Sequence, residues 1–186
     1  MDMDFFVIAT VCFVAHGLIG SIDGAYFHLH KFRLHTHEET FFEHQLHTLR
    51  ALFLALTSVI FFALNTGGWL LWIGAVLLAA DLVVLTWDVW IERKSRESLG
   101  GLLSKEYLVH VHATILHTAS FILVIAAKPV AAWALDSPPL LETELPMWCS
   151  LCGWAIAISA GFSSLQHLWY WRPSYRTSPS PEGPSV

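Results

Sequence analysis

The chain has 186 residues, 55% of them hydrophobic and only 13% charged, with a mean hydropathy of +0.54. Soluble domains carry roughly 25% charge, so this balance excludes a disordered protein and argues for a membrane one. A net charge of −5 gives nucleic acid nothing to bind, and three cysteines are too few for a disulfide framework.

A membrane span needs about 20 largely apolar residues, each rising 1.5 Å. Taken in order, residues 5–27, 46–64, 68–91, 107–127 and 148–171 meet that need. The expected fold is therefore all-α, an integral-membrane bundle of five transmembrane helices over residues 1–172. A Pro/Ser-rich stretch, 173–186, is expected to form a disordered cytoplasmic tail. The first span is not read as a cleaved signal, because its MDMD flank is acidic where a signal peptide is basic. The second span has an uninterrupted apolar part of only 14 residues, Ala51 to Leu64. To cross, that helix must draw in the turn carrying His47 and Arg50, together with Glu43.

Charge sets the expected orientation. With five spans, residues 28–45, 92–106 and the C-terminal tail share one side. That side holds nine cations (Lys31, Arg33, Arg50, Arg93, Lys94, Arg96, Lys105, Arg172 and Arg176), against Lys128 alone on the other. The positive-inside rule then places the N-terminus outside and the C-terminus in the cytoplasm, as for a protein of the bacterial inner membrane.

Eleven histidines against ten lysines plus arginines is the anomaly that a function must explain. Ionisable groups in a span are costly and face a bundle interior, so their spacing is informative. Seven residues make nearly two α-helical turns, which stacks i and i+7 on one stripe. His16, Asp23 and His30 follow this spacing in the first span, Asp81 and Asp88 in the third, and His110 and His117 in the fourth. Glu92 lies one turn beyond Asp88, and Glu106 one turn before His110. The second span opens with Glu43, His44 and His47 within a narrow arc, and the fifth contributes His167. All but His16, Asp81 and His117, which sit near the midplane, belong to the cytoplasmic half. The outer half is almost bare of charge, so a polar path across the membrane is not expected. An apolar plug beneath a cytoplasm-facing pocket is.

Imidazoles and carboxylates converging in a helix bundle form a ligand set for non-haem iron, manganese or zinc. The candidate metal residues are Asp23, His30, Glu43, His44, His47, Asp81, Asp88, Glu92, His110, His117 and His167. Of these, Asp23, Glu43, His47, Asp88, His110 and His117 are read as direct ligands, and the rest as ligands or as groups orienting them. His28 joins only if the first helix frays before it, since on a continued α-helix it points about 140° away from Asp23.

The leading reading is a membrane oxidoreductase with two iron ions, oxygen-dependent and acting on a lipid or other apolar small-molecule substrate with an electron donor. In architecture and composition such a pocket resembles the histidine-rich integral-membrane di-iron desaturases and hydroxylases. Their paired HxxxH and HxxHH boxes are absent. In their place stand HxxH at His44/His47 and HxHxxxxH at His110/His112/His117, and Glu43 to His47 is ExxxH where soluble di-iron bundles have ExxH. The alternatives are a zinc-dependent membrane lipid or amide hydrolase, a haem-b electron-transfer subunit using two of His16, His47, His110, His117 and His167, and an accessory subunit of a larger membrane complex. Membrane lipids are expected partners.

Three smaller signals have ordinary readings. Cys149 and Cys152 have CxxC spacing but read as packing in a Trp-rich apolar stretch. His35 and His37 read as residues of a solvated loop. His112, about 200° from His110, is expected to face elsewhere.

Overall fold

The computed structural model describes residues 1–175. Five helices in it are long and apolar enough to cross a membrane. They are α1 (Met3–Ser21), α2 (Phe41–Ser58), α3 (Gly68–Ser95), α4 (Ser104–Ala127) and α5 (Met147–Trp169). Two are extended by wider, π-helical turns: α1 by Ile22–Lys31 and α2 by Val59–Ala63. The described residues contain no strand, only a lone bridge between Thr66 and Leu140. α2 does draw in Glu43, His47 and Arg50, as its short apolar stretch requires. Most of the expected tail lies outside the described residues. Its first three, Pro173–Tyr175, form a 3-10 turn in which Tyr175 Oη accepts from Trp169 Nε1 at 2.7 Å.

The bundle wears its polarity inside out. Trp90 is 85% exposed and Ile158 70%, whereas Glu43, Arg96 and Glu106 are fully buried. Water cannot stabilise that arrangement, but a hydrocarbon surround can, because only backbone groups already paired within helices then face outward.

α1 packs most extensively against α4, and α2 against α5 and α3, while α1 meets α5 over a smaller area. At the end of the bundle that carries the 64–67 and 128–146 connections, the core is aromatic. Phe13 and Phe62 stack at 4.0 Å, Phe121 meets Phe13, Phe61 and Phe62 edge-on, and Phe6 completes the plug. The wide turn of α2 fits because its neighbours lack side chains there. A Cβ at Gly153 would lie 2.5 Å from Ala63 N, and one at Gly74 would lie 2.6 Å from Ile60. The carbonyls shifted by this turn find hydroxyl partners: Ser150 Oγ donates to Ala63 O, and Thr66 Oγ1 to Ile60 O, both at 2.7 Å. At the opposite end, the 32–40 and 96–103 connections cover the ends of α1 to α4, with Leu34 and Thr40 wholly buried.

Candidate metal centre

Four helices each turn two ligand-type side chains toward one point. On an α-helix, residues four apart lie about 40° from each other and share a face. α2 supplies Glu43 and His47 in this way, α3 Asp88 and Glu92, and α4 Glu106 and His110. α1 supplies Asp23 and His28, which are five apart. The turns here are π-helical and close i→i+5 hydrogen bonds, as from Phe32 N to Phe27 O at 2.9 Å, so five residues amount to about one turn.

The resulting cluster is tight. His28 Nε2 lies 3.6 Å from Asp23 Oδ1 and 3.7 Å from Glu106 Oε1. His47 Nε2 is 3.5 Å from Asp88 Oδ1 and 3.7 Å from Glu43 Oε1. His110 reaches Asp23 Oδ2 at 2.8 Å through Nε2 and Glu92 Oε1 at 3.1 Å through Nδ1. Two overlapping sets come close enough to hold a metal ion: His28, Glu92, Glu106 and His110, and His28, Glu43 and His47. His28 belongs to both.

A buried cation braces two of the acids. Arg96, just past the end of α3, folds back so that Nη2 lies 2.8 Å from both Glu43 Oε1 and Glu106 Oε1. Its Nε donates to both oxygens of Glu43, at 2.9 and 3.1 Å, and Ser95 Oγ donates to Glu43 Oε2. The guanidinium sits 4.9 Å from the centre of the Phe32 ring. This arrangement fixes where Glu43 and Glu106 point and keeps the two carboxylates close together.

The other expected residues fall into two neighbouring groups. Deeper in the bundle, Arg50 bridges Asp81 (3.6 Å) and Asp88 (3.4 Å), and His117 Nε2 lies 3.4 Å from Asp81 Oδ2. The His16 ring is 5.0 Å from that of His117 and its Nδ1 is 3.0 Å from Ala113 O. To one side, the His44 ring stacks on His167 at 4.7 Å and stands 5.8 Å from His35. His44 Nε2 is 3.3 Å from His167 O. His117, read as a direct ligand, is thus with Asp81 rather than with the main cluster, and His44 and His167 form a separate pair.

Two expectations are corrected. His30 is exposed and stacks beside Tyr26 at 6.1 Å. The seven-residue stripe assumed α-helical turns throughout, and the wider turns after Ser21 carry His30 out of register while carrying His28 in. His35 is 7% exposed rather than solvated, because its ring packs on Tyr170 at 4.3 Å. Burial there, with Arg33 and His37 nearby, lowers its pKa below the ordinary histidine value. His112 does face outward, with Nδ1 2.7 Å from Leu108 O.

No family model, curated protein or solved structure matches this chain. The functional reading therefore rests on the site itself. Two of its residues escaped the sequence argument, Glu106 as a site member and Arg96, while His28, admitted only if the first helix frayed, enters through a π-helical segment instead. Glu106 had a legible signal, since it precedes His110 by the four residues that also separate Glu43 from His47. Arg96 had none, because an arginine in a polar loop next to a span reads as an interfacial charge.

The cluster is not self-sufficient. Both ring nitrogens of His28 are buried without a hydrogen-bond partner, as are Asp23 Oδ1, His47 Nε2, Asp88 Oδ1, Glu92 Oε1 and both oxygens of Glu106. Several are near an opposite charge, as His110 Nε2 is to Asp23, without the alignment of a hydrogen bond. Buried polar groups ordinarily find partners, and each exception asks for an explanation.

Proposed function

We propose that this chain is a membrane-embedded oxidoreductase built on two iron ions. The observation that carries the reading is His28, a fully buried imidazole shared by two metal-capable sets with neither nitrogen satisfied. His110, Glu92 and Glu106 would hold one ion and His47, Glu43 and Asp88 the other, with His28 and Asp23 between them.

Charge supports two ions. Asp23, Glu43, Asp81, Asp88, Glu92 and Glu106 face two permanent cations, Arg50 and Arg96, and His110, which has a carboxylate at each ring nitrogen and carries a third charge while protonated. Six acids thus leave three negative charges, and four once His110 gives up its proton to bind a metal. An uncompensated charge inside a low-dielectric bundle costs several kcal/mol. Two divalent cations would neutralise the excess. A single catalytic zinc needs three protein ligands and one open position, far fewer groups than converge here. Carboxylates with imidazoles and no thiolate suit iron or manganese, and a haem would have no use for the acids.

When bound, a pair of irons supplies the one-electron steps and oxygen chemistry that carbon–hydrogen bonds require. The chain's own residues do the rest. Arg96 holds Glu43 and Glu106 in place, and Glu92 and Asp23 set the ring of His110. The Asp81–His117–Arg50 group lies beside the centre, where it can hold or pass a proton. The aromatic plug closes the far end against water. The substrate is apolar, as a site surrounded by hydrocarbon favours.

Absorption spectroscopy with metal identification on detergent-purified protein tests this reading. Iron with charge-transfer bands in the near-ultraviolet or visible, bleached by dithionite, supports it. A colourless zinc protein contradicts it, and a Soret band identifies haem instead.

A further inference from the structure

A cavity of about 670 Å³ adjoins the candidate centre and reaches well beyond it. Its lining runs along α5 from Cys152 to His167 and along α1 from Val14 to Leu29. At 1.5 Å per residue the α5 stretch is roughly 22 Å long. An elongated space with a largely apolar wall suits an extended polymethylene chain, whose carbons keep about 4 Å from their neighbours. The wall from α5 is mostly apolar or small (Ala155, Ile156, Ser159, Phe162), whereas Asp23, His47, Asp88 and His110 line the opposite side.

The slot opens sideways. Glu43, Arg96 and Glu106, at the loop end of the centre, are wholly buried, and among the described residues none from 30–46 or 93–109 lines the slot. α1 and α5 instead touch at Gly17, where a Cβ would meet Ile156 at 3.5 Å, and part beyond it. A Cβ at Gly20 would meet only His16, and one at Gly24 nothing within 4 Å. Leu18, Ser21 and Ala25 of α1 and Ala155, Ser159 and Phe162 of α5 both line the cavity and are exposed; on α3 Val89 alone does both. Glu92 and Asp81 of α3 pair with His110 and His117 of α4, which bridges the other loosely packed side. The expected cytoplasm-facing pocket is thus closed at its loop end and open toward the hydrocarbon.

We infer that the α1–α5 cleft admits a linear aliphatic chain from the bilayer and lays it along α5, with part of its length against the His/carboxylate centre. This deepens the function proposed above and rests on it for the reaction. Chain binding itself is measurable apart from any metal. A saturated chain can bend into this slot through free rotation about its carbon–carbon bonds. It comes from hydrocarbon, not water, so selection comes from shape and not from hydrophobicity.

The test uses purified protein in nanodiscs with a palmitic acid analogue bearing a mid-chain diazirine. A phosphatidylcholine carrying the same chain forms a second arm. After irradiation, peptide mapping is expected to find adducts between residues 152 and 163 and between 14 and 21. Ser159→Trp and, independently, Gly20→Leu should each cut these adducts at least tenfold while metal content stays at the wild-type level. Leu165→Trp, on an exposed face of α5 outside the cavity, should leave them unchanged. Labelling by the free acid alone, or by both probes, supports the inference and tells which source supplies the chain. Adducts spread evenly over Ile158 and Leu165, adducts concentrated on Val89 and Thr114 between α3 and α4, or labelling indifferent to both blocking variants would overturn it. Loss of metal with adducts intact would overturn the function proposed above and not the slot.

Discussion

His28 faces Asp23 across 3.6 Å although five residues separate them, an angle that an α-helix would open to about 140°. The wider turns of Ile22–Lys31 make the pair, and they decide which histidine of this segment enters the cluster. The two histidines should therefore differ sharply on substitution. His28→Ala is expected to reduce metal retention at least tenfold, whereas His30→Ala should match the wild type within error. Metal quantification after dialysis against a chelator checks both. The reverse pattern, loss in His30→Ala and none in His28→Ala, would show that the segment is α-helical in the membrane.

Arg96 is the cation on which Glu43 and Glu106 both depend. Removing one partner of a buried ion pair typically costs 3–5 kcal/mol because the other charge is stranded. Arg96→Met should lower the thermal midpoint in detergent by many degrees, and adding ferrous iron should recover part of the loss. Arg96→Lys should be intermediate, since an ammonium cannot reproduce the forked contact with two carboxylates. An Arg96→Met variant as stable as the wild type would mean that this contact does not hold the site.

Lys128 offers a pH test at the other end of the bundle. Its Nζ donates to Asn65 Oδ1 and Thr66 O, both at 2.9 Å, and burial lowers its pKa from 10.5 to about 8. Between those values the unfolded chain holds a proton that the folded one has released. Stability from this group therefore rises as pH climbs from about 8 to 10.5 and is lost again as pH falls through 8. Thermal midpoints of the wild type should rise relative to Lys128→Met over that window. A constant difference would place Lys128 in water.

The fold was largely legible because it depends on hydrophobic run length, which the bilayer makes a demanding criterion. The i,i+4 pair Glu43/His47 was legible too, since α2 must take in that turn to cross. The site was read less well for a physical reason. Seven-residue stripes assume 3.6 residues per turn, and a single change of helical pitch in α1 exchanged His30 for His28. His44 and His167 were on the inward faces expected of them, yet they face each other rather than the main cluster. Periodicity gives direction around one helix and says little about which neighbour fills that direction.

Orientation is open to direct measurement. The cation asymmetry of nine against one predicts that the α3–α4 connection is cytoplasmic and residues 128–146 lie outside. With the native cysteines replaced, Glu142→Cys should react with a membrane-impermeant thiol reagent in intact cells. Ser98→Cys should react only after permeabilisation. The reverse pattern would invert the bundle.

The account turns on whether the buried acids and imidazoles bind two ions together. Inductively coupled plasma quantification of the wild-type protein, purified with iron supplied during expression, is the most direct measurement. Close to two iron atoms per chain, falling to fewer than one in His28→Ala, is the predicted result. A metal-free protein that is folded and stable, with its carboxylates neutralised by protonation alone, would contradict it.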